Sequence, residues 1–262
     1  MDEQPHAMDF TGRAVLVTGG TKGLGATIAR AFLASGADVM ACGRSTPAAL
    51  PSTGGREAGF RVADLRDPVA VADVVAAASE RFGRLDALVN NAGGSPDADA
   101  ATVSPRFVEK VVALNLLAPS HTAQAANLAM REQPGGGSVI NIGSVSAHTP
   151  QPGTAAYSAA KAGLLGLTRA PALEWAPRVG VNHITAGFIR TESAAALYGE
   201  EGGNAAVDVV PMGRPAEPDG VARACLWPAC DLSSYVNGAD LAVHGCGEIP
   251  ARHTAAHRPT SL

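Results

Sequence analysis

Residues 13–25 read RAVLVTGGTKGLG, a buried-strand pattern that runs straight into a glycine-rich turn. Arg13–Thr18 is a short apolar run, as expected of a strand covered on both faces. Behind the turn, Gly23–Ser35 places Leu24, Ile28, Ala31 and Phe32 at helical spacing, and Gly36 closes the segment. Between strand and helix stand Gly19, Thr21, Lys22, Gly23, Leu24 and Gly25. Glycine lets the backbone approach a phosphate closely, and a helix N-terminus offers unpaired N–H groups and a favourable dipole. The spacing is G-x-x-x-G-x-G, a variant of the G-x-G-x-x-G dinucleotide fingerprint.

Outward from this unit the same alternation repeats. Asp38–Cys42, Gly59–Ala63, Asp86–Asn91, Ser138–Ile142, Val179–Ile184 and Ala239–Val243 read as further strands. Pro68–Phe82, Ser104–Arg131, Ala155–Ala176 and Glu217–Pro228 read as helices, with Asp67 and Ser104 as N-caps ahead of Pro68 and Pro105. Helices between successive strands imply parallel pairing by right-handed crossovers. The expectation is an α/β fold: a doubly wound, Rossmann-like parallel sheet of about seven strands in three layers, opening in the order 3-2-1-4-5. No repeat or linker interrupts it, so residues 1–247 read as a single domain and residues 248–262 as a tail.

Bulk composition narrows the function classes. The 262 residues are 46% apolar and carry a formal charge of −4. A mildly acidic chain with dispersed Lys and Arg is a poor partner for nucleic acid or an anionic membrane. No apolar run approaches membrane-spanning length, and Asp2, Glu3 and Asp9 stand where a secretory signal would be apolar. Cys42, Cys225, Cys230 and Cys246 form no C-x-x-C pair, which suits reduced thiols in a cytoplasmic protein without a structural metal.

Several polar groups fall where the strands end. Asn90-Asn91-Ala92-Gly93 closes the fourth strand and lies beside the glycine-rich turn if strands one and four flank the reversal of strand order. Tyr157 and Lys161 stand four apart on one face of a long helix, in a chain with three Tyr and three Lys. Ser144 lies just after the fifth strand, and Asn115 sits within the helix before it.

Taken in order, T-G-x-x-x-G-x-G, N-N-A-G, an Asn, a Ser and Y-x-x-x-K resemble the short-chain dehydrogenase/reductase family, and within it the 3-oxoacyl-carrier-protein reductase type of ketoreductase. Ala63-Asp64-Leu65, Leu173-Glu174-Trp175-Ala176 and Ser233-Ser234-Tyr235-Val236-Asn237-Gly238 extend the likeness over about residues 11–247. The resemblance implies that Tyr157 exchanges a proton with the substrate oxygen. Lys161 would favour the phenolate and hold the nicotinamide ribose. Ser144 would bind the substrate carbonyl, and Asn115 would position a water beside Lys161. Asp64 would meet the adenine, with Leu65 beside it. Asn91, Ala92 and Gly93 would line the ribose and adenine side. Gly187, Ile189 and Thr191 would meet the carboxamide and pyrophosphate. It further implies a dimer or tetramer built on the two long helices.

Cofactor choice is argued locally. NAD enzymes of such folds place a carboxylate at the end of the second strand for the ribose 2′-hydroxyl. This chain has Gly43 followed by Arg44, with Lys22 in the nearby turn, which suits a 2′-phosphate and NADP(H). The reading is therefore an NADP(H)-dependent oxidoreductase acting on a small-molecule ketone or secondary alcohol. The competing class is a protein that retains NADP(H) but has little turnover, serving as a sensor or scaffold. The complete set Asn115, Ser144, Tyr157 and Lys161 argues against it. Departures from the family pattern are Ala186 in Thr185-Ala186-Gly187, Cys246 near the end, Pro228, and Pro171, which should kink its helix. A lid over 192–214 and pocket contacts from His148, Gln151 and Phe188 are expected.

Overall fold

The computed structural model describes residues 8–191 and 210–247. One parallel sheet organises them. Its strands are β1 (Ala14–Thr18), β2 (Asp38–Gly43), β5 (Gly59–Val62), β6 (Ala87–Asn90), β7 (Gly137–Ile142), β8 (Val179–Ala186) and β9 (Asp240–Val243). Their spatial order is β5-β2-β1-β6-β7-β8-β9. Every neighbouring pair is parallel, with Val17 opposite both Ala41 and Val89. This is the expected doubly wound sheet, and the order reverses between β1 and β6. β1 and β6 are buried along their whole lengths. Two apolar clusters, one centred on Ile28, Phe32, Val89 and Val221 and the other on Leu16, Val74, Leu88 and Val181, fill the two sides of the sheet.

The helices are α1 (Gly23–Ala34), α2 (Pro68–Phe82), α3 (Pro105–Val112), α4 (Ala118–Met130), α5 (Ala155–Trp175) and α6 (Pro218–Leu226). Both predicted caps are made: the Asp67 carboxylate accepts from Val69 N at 2.9 Å, and Ser104 Oγ accepts from Phe107 N at 3.3 Å.

Two features differ from the expectations. The helix expected over Ser104–Arg131 is divided by a π-helical turn, Ala113–Leu117. Pro119 has no N–H to offer the preceding turn, and Asn115 spends its side chain on Gly94 instead of facing a regular helix interior. A small hairpin, β3 (Ser52–Thr53) and β4 (Arg56–Glu57), precedes β5. Gly54 and Gly55 at its tip have φ of +56° and +76°, as a type I′ turn requires. As expected, α5 runs as one helical segment through Pro171. Its far end is held from outside, since Ala172 is buried and its carbonyl accepts from Asn237 Nδ2 at 2.7 Å.

Candidate active site

The glycine-rich turn and the turn after β6 are sewn together by Thr18 and Asn91. Thr18 Oγ1 accepts from Asn91 N at 2.9 Å and Ala92 N at 3.0 Å. In return Asn91 Nδ2 donates to Thr18 O at 2.9 Å. Thr18 is the threonine that opens the T-G-x-x-x-G-x-G motif, and its hydroxyl is the part of that motif that ties the two turns. The crossing is tight. A Cβ on Gly25 would lie 2.2 Å from Gly19 O and 2.4 Å from Asn91 Nδ2. Gly19 itself has φ of +62°. Gly25→Ala must therefore open the turn. The expected result is a loss of cofactor affinity of about tenfold or more, read by fluorescence titration; unchanged affinity would mean that the turn holds nothing.

The same crossing point gathers the polar residues. A Cβ on Gly93 would stand 2.7 Å from Asn115 Oδ1 and 3.4 Å from Lys161 Nζ, so these groups surround one small space. Asn115 is fully buried: its Oδ1 accepts from Gly94 N at 2.8 Å, and its Nδ2 donates to Gly94 O at 3.0 Å and Val111 O at 2.9 Å. The side chain is thus a tie between the π-helical turn and the loop after β6.

Lys161 is 4% exposed, and its Nζ donates to Ile142 O at 2.7 Å, at the carboxyl end of β7. Burial drives its pKa down from 10.5 to about 8. The same ammonium lies 5.7 Å from the centre of the half-buried Tyr157 ring. Ser144 follows Gly143 at the end of β7 and caps the short 3-10 turn Val145–Ala147, its Oγ accepting from Ser146 N at 3.1 Å. Asn115, Ser144 and Lys161 therefore all lie at or against the carboxyl edge of the sheet, where β1, β6 and β7 end.

The other candidates spread along this edge. Gly43 ends β2, and a Cβ there would meet Thr21 Oγ1 at 3.5 Å, which brings that strand end against the glycine-rich turn. Lys22 and Arg44 are both exposed. Asp64 is held by Arg66, whose Nε donates to Oδ1 at 2.9 Å, and this bond with the nearby charges keeps the carboxyl below its usual range. Arg66 is a third cation here that the sequence reading passed over; its two-residue spacing from Asp64 was the available signal. Leu65 is buried. On the far side, Gly187 packs against His244, and Ile189 forms a bridge with Ala216. Thr191 is the last residue described before the expected lid, and residues 192–209 of that lid lie outside the described residues. A small apolar cavity of about 200 Å³ adjoins Tyr157, lined by Ala98, Val103, Phe107, Val108 and Ala156.

A parallel sheet with a glycine-rich first crossover, and with polar side chains gathered where the strand order reverses, defines a dinucleotide-dependent enzyme class. Comparison with known proteins narrows it. The family model described as enoyl-(acyl carrier protein) reductase matches residues 19–246. A D-threitol dehydrogenase of Mycolicibacterium smegmatis is 36% identical over 255 residues, spanning 92% of this chain and 96% of its own. A 3-oxoacyl-[acyl-carrier-protein] reductase of Chlamydia pneumoniae is 34% identical over 247 residues, spanning 91% and 98%. The crystal structure of levodione reductase superposes with a TM-score of 0.85 at 30% identity, covering 90% of this chain and 97% of that one. The chain belongs to the short-chain dehydrogenase/reductase family, whose members are oxidoreductases using a nicotinamide cofactor on alcohols or ketones.

Proposed function

We propose that this enzyme reduces a ketone, or oxidises the matching secondary alcohol, with NADP(H), and that Tyr157 exchanges the proton with the substrate oxygen. The observation that carries the reading is the buried ammonium of Lys161 against the Tyr157 ring. A free phenol, with a pKa near 10, is a poor base at neutral pH. A cation beside it favours the phenolate and brings it into working range. Ser144 then donates to the substrate oxygen and steadies the charge that develops there. Asn115 ties the loop of Gly93 and Gly94 to the π-helical turn beside Lys161.

The glycine cradle fits the cofactor. Gly19 and Gly25 permit the close crossing described above, and side chains at Gly93 would invade the space beside Lys161. Gly19, Thr21, Gly23, Leu24 and Gly25 would hold the pyrophosphate. Asp64, Leu65, Asn91, Ala92 and Gly93 would hold the adenosine side, and Lys161, Gly187, Ile189 and Thr191 the nicotinamide side. The nicotinamide, when bound, supplies or accepts the hydride. Substrates are sought among those the relatives' names give: threitol, levodione and 3-oxoacyl groups on acyl carrier protein.

NADP(H) over NAD(H) is supported by Gly43, which offers no carboxylate, and by Lys22 and Arg44 exposed at the same strand ends. Arg44 can present a two-pronged donor to a phosphate, and Lys22 a compact charge. Discounted for solvent, two such contacts give a preference of about tenfold or more in kcat/KM. Arg44→Ala should raise KM for NADPH and leave NADH kinetics nearly unchanged, while Gly43→Asp should shift preference toward NADH. Equal kcat/KM for the two cofactors in the unmutated enzyme would reduce both cations to surface charges.

We also read the enzyme as a cytoplasmic dimer or tetramer that buries α4 and α5. Leu128 on α4 and Leu173 on α5 are exposed, Leu173 at 84%, and Leu128 lines a groove with Pro171 and Trp175. Among the described residues no helix is long and apolar enough to cross a membrane, and the cysteines are free. Cell fractionation followed by light scattering on the soluble protein tests both points. A monomer at micromolar concentration would contradict the assembly.

A further inference from the structure

Behind the Ser144 turn lies a polar cluster that the proposed reaction does not use. His183 on β8 is fully buried, and its register partner on β9 is Asp240. The His183 Nδ1 lies 2.8 Å from Asp240 Oδ1, which also accepts from Thr185 Oγ1 at 2.6 Å. The other carboxylate oxygen, Oδ2, lies 3.1 Å from His148 Nε2, and His148 Nε2 is also 3.3 Å from Thr185 Oγ1. One carboxylate thus gathers two imidazoles and a hydroxyl. Fifty-seven residues separate His183 from Asp240, so only strand register brings them together.

The two imidazoles reach opposite ends of the same turn. His148 directly follows the 3-10 turn Val145–Ala147 that Ser144 caps. His183 packs under the start of the turn: a Cβ on Gly143 would lie 2.0 Å from its Cε1 and 2.1 Å from its Nε2. That Nε2 is buried without a hydrogen-bond partner. Protonated, it would point an N–H at the Gly143 backbone with no acceptor, so the neutral ring with its proton on Nδ1, toward Asp240, is the form that fits. Burial lowers the His183 pKa, the hydrogen bond and charge of Asp240 oppose this, and the charges of Lys161 and His148 add to the lowering. For Asp240, burial alone would raise the carboxyl; the hydrogen bonds from Thr185 and His183 are the main causes that outweigh it, and its pKa falls below the ordinary value. The carboxylate is therefore present to fix both rings at neutral pH. On the opposite side, Lys161 Nζ pins Ile142 O, the residue before Gly143. Ser144 thus sits on a segment held by a cation on one side and by Asp240 on the other.

We propose that Asp240 is a positioning residue for Ser144, acting through His183 beneath Gly143 and through His148 at the far end of the turn. The proposal rests on Ser144 as the group that binds the substrate oxygen. Two measurements test it. In hydrogen–deuterium exchange of the apoenzyme, Asp240→Asn should speed amide exchange across residues 143–148 by tenfold or more and leave the glycine-rich turn unchanged. With the most active ketone of the relatives' classes, Asp240→Asn should lower kcat about tenfold, leave NADPH affinity within twofold, and cost nothing further in a Ser144→Ala background, because residues acting as one unit are not additive. Unchanged exchange in Asp240→Asn overturns the proposal, as does an equal loss of kcat in the Ser144→Ala background. If Asp240→Asn does not fold, the half-exposed His148→Ala decides: faster exchange across 143–148 supports the clasp, and unchanged exchange overturns it. Because exchange is read on the apoenzyme, the clasp stands or falls there even if Tyr157→Phe stays active and the catalytic reading fails.

Discussion

Lys161→Met is expected to lower turnover roughly 10²–10³-fold, the usual effect of removing a preorganised electrostatic group, and at the same time to make the folded apoenzyme more stable at pH 7. The two effects share one cause. Lys161 is buried, and among the described residues no carboxylate forms an ion pair with it. Its pKa falls from 10.5 to about 8 through desolvation. That difference of about 2.5 corresponds to about 3 kcal/mol at 1.36 kcal/mol per pH unit. For a base whose folded pKa is depressed, the unfolded chain holds the proton more tightly. The penalty is therefore full below pH 8 and fades as pH rises from about 8 toward 10.5. Methionine keeps the length and removes the charge, but it strands the Ile142 carbonyl at a cost of about 1–3 kcal/mol. The net gain at pH 7 is about 1 kcal/mol, a rise in Tm of about 2 °C for a chain of this size. Denaturant titrations at several pH values check this. The stability advantage of the variant should shrink as pH climbs from 8 to 10.5; a constant difference would mean that burial does not shift the Lys161 pKa between the folded and unfolded chain.

Tyr157→Phe should reduce turnover roughly 10²–10⁴-fold, the range of a lost general acid or base. Phenylalanine preserves the ring that Lys161 approaches at 5.7 Å, so the substitution deletes the hydroxyl and little else. NADPH should still bind, with affinity close to that of the unmutated enzyme, as measured by fluorescence titration. Retention of even a tenth of the turnover would remove Tyr157 from the proton step.

Much of this architecture is legible in the chain because its signals are local. The apolar runs of β1 and β6 announce strands covered on both faces, and Asp67 before Pro68 announces a helix start. The fold follows from their alternation. The features that escape are tertiary. The π-helical turn depends on Asn115 bonding to Gly94, twenty-one residues away. The anchoring of the far end of α5 uses Asn237, sixty-five residues from the carbonyl it holds. The hairpin at Gly54 and Gly55 carried a visible signal, a glycine pair between short extended runs. In the site, Tyr157 and Lys161 are found by helical spacing alone. By contrast, His183 and Asp240 are invisible until β8 and β9 pair in register.

Hydride transfer between the cofactor and a substrate carbon is the step that defines the proposed reaction. It is tested most directly with NADPH carrying deuterium at one or the other C4 position, offered with levodione, the keto form of threitol, and a 3-oxoacyl-[acyl-carrier-protein]. The account predicts that, for at least one of these substrates, one of the two labelled cofactors delivers its deuterium to the carbinol carbon of the product, one label for each cofactor oxidised, and that Tyr157→Phe slows this transfer. Oxidised cofactor without label in the alcohol, or tight NADPH binding with no oxidation by any of the three substrates, would contradict it and leave a protein that holds the cofactor for another purpose.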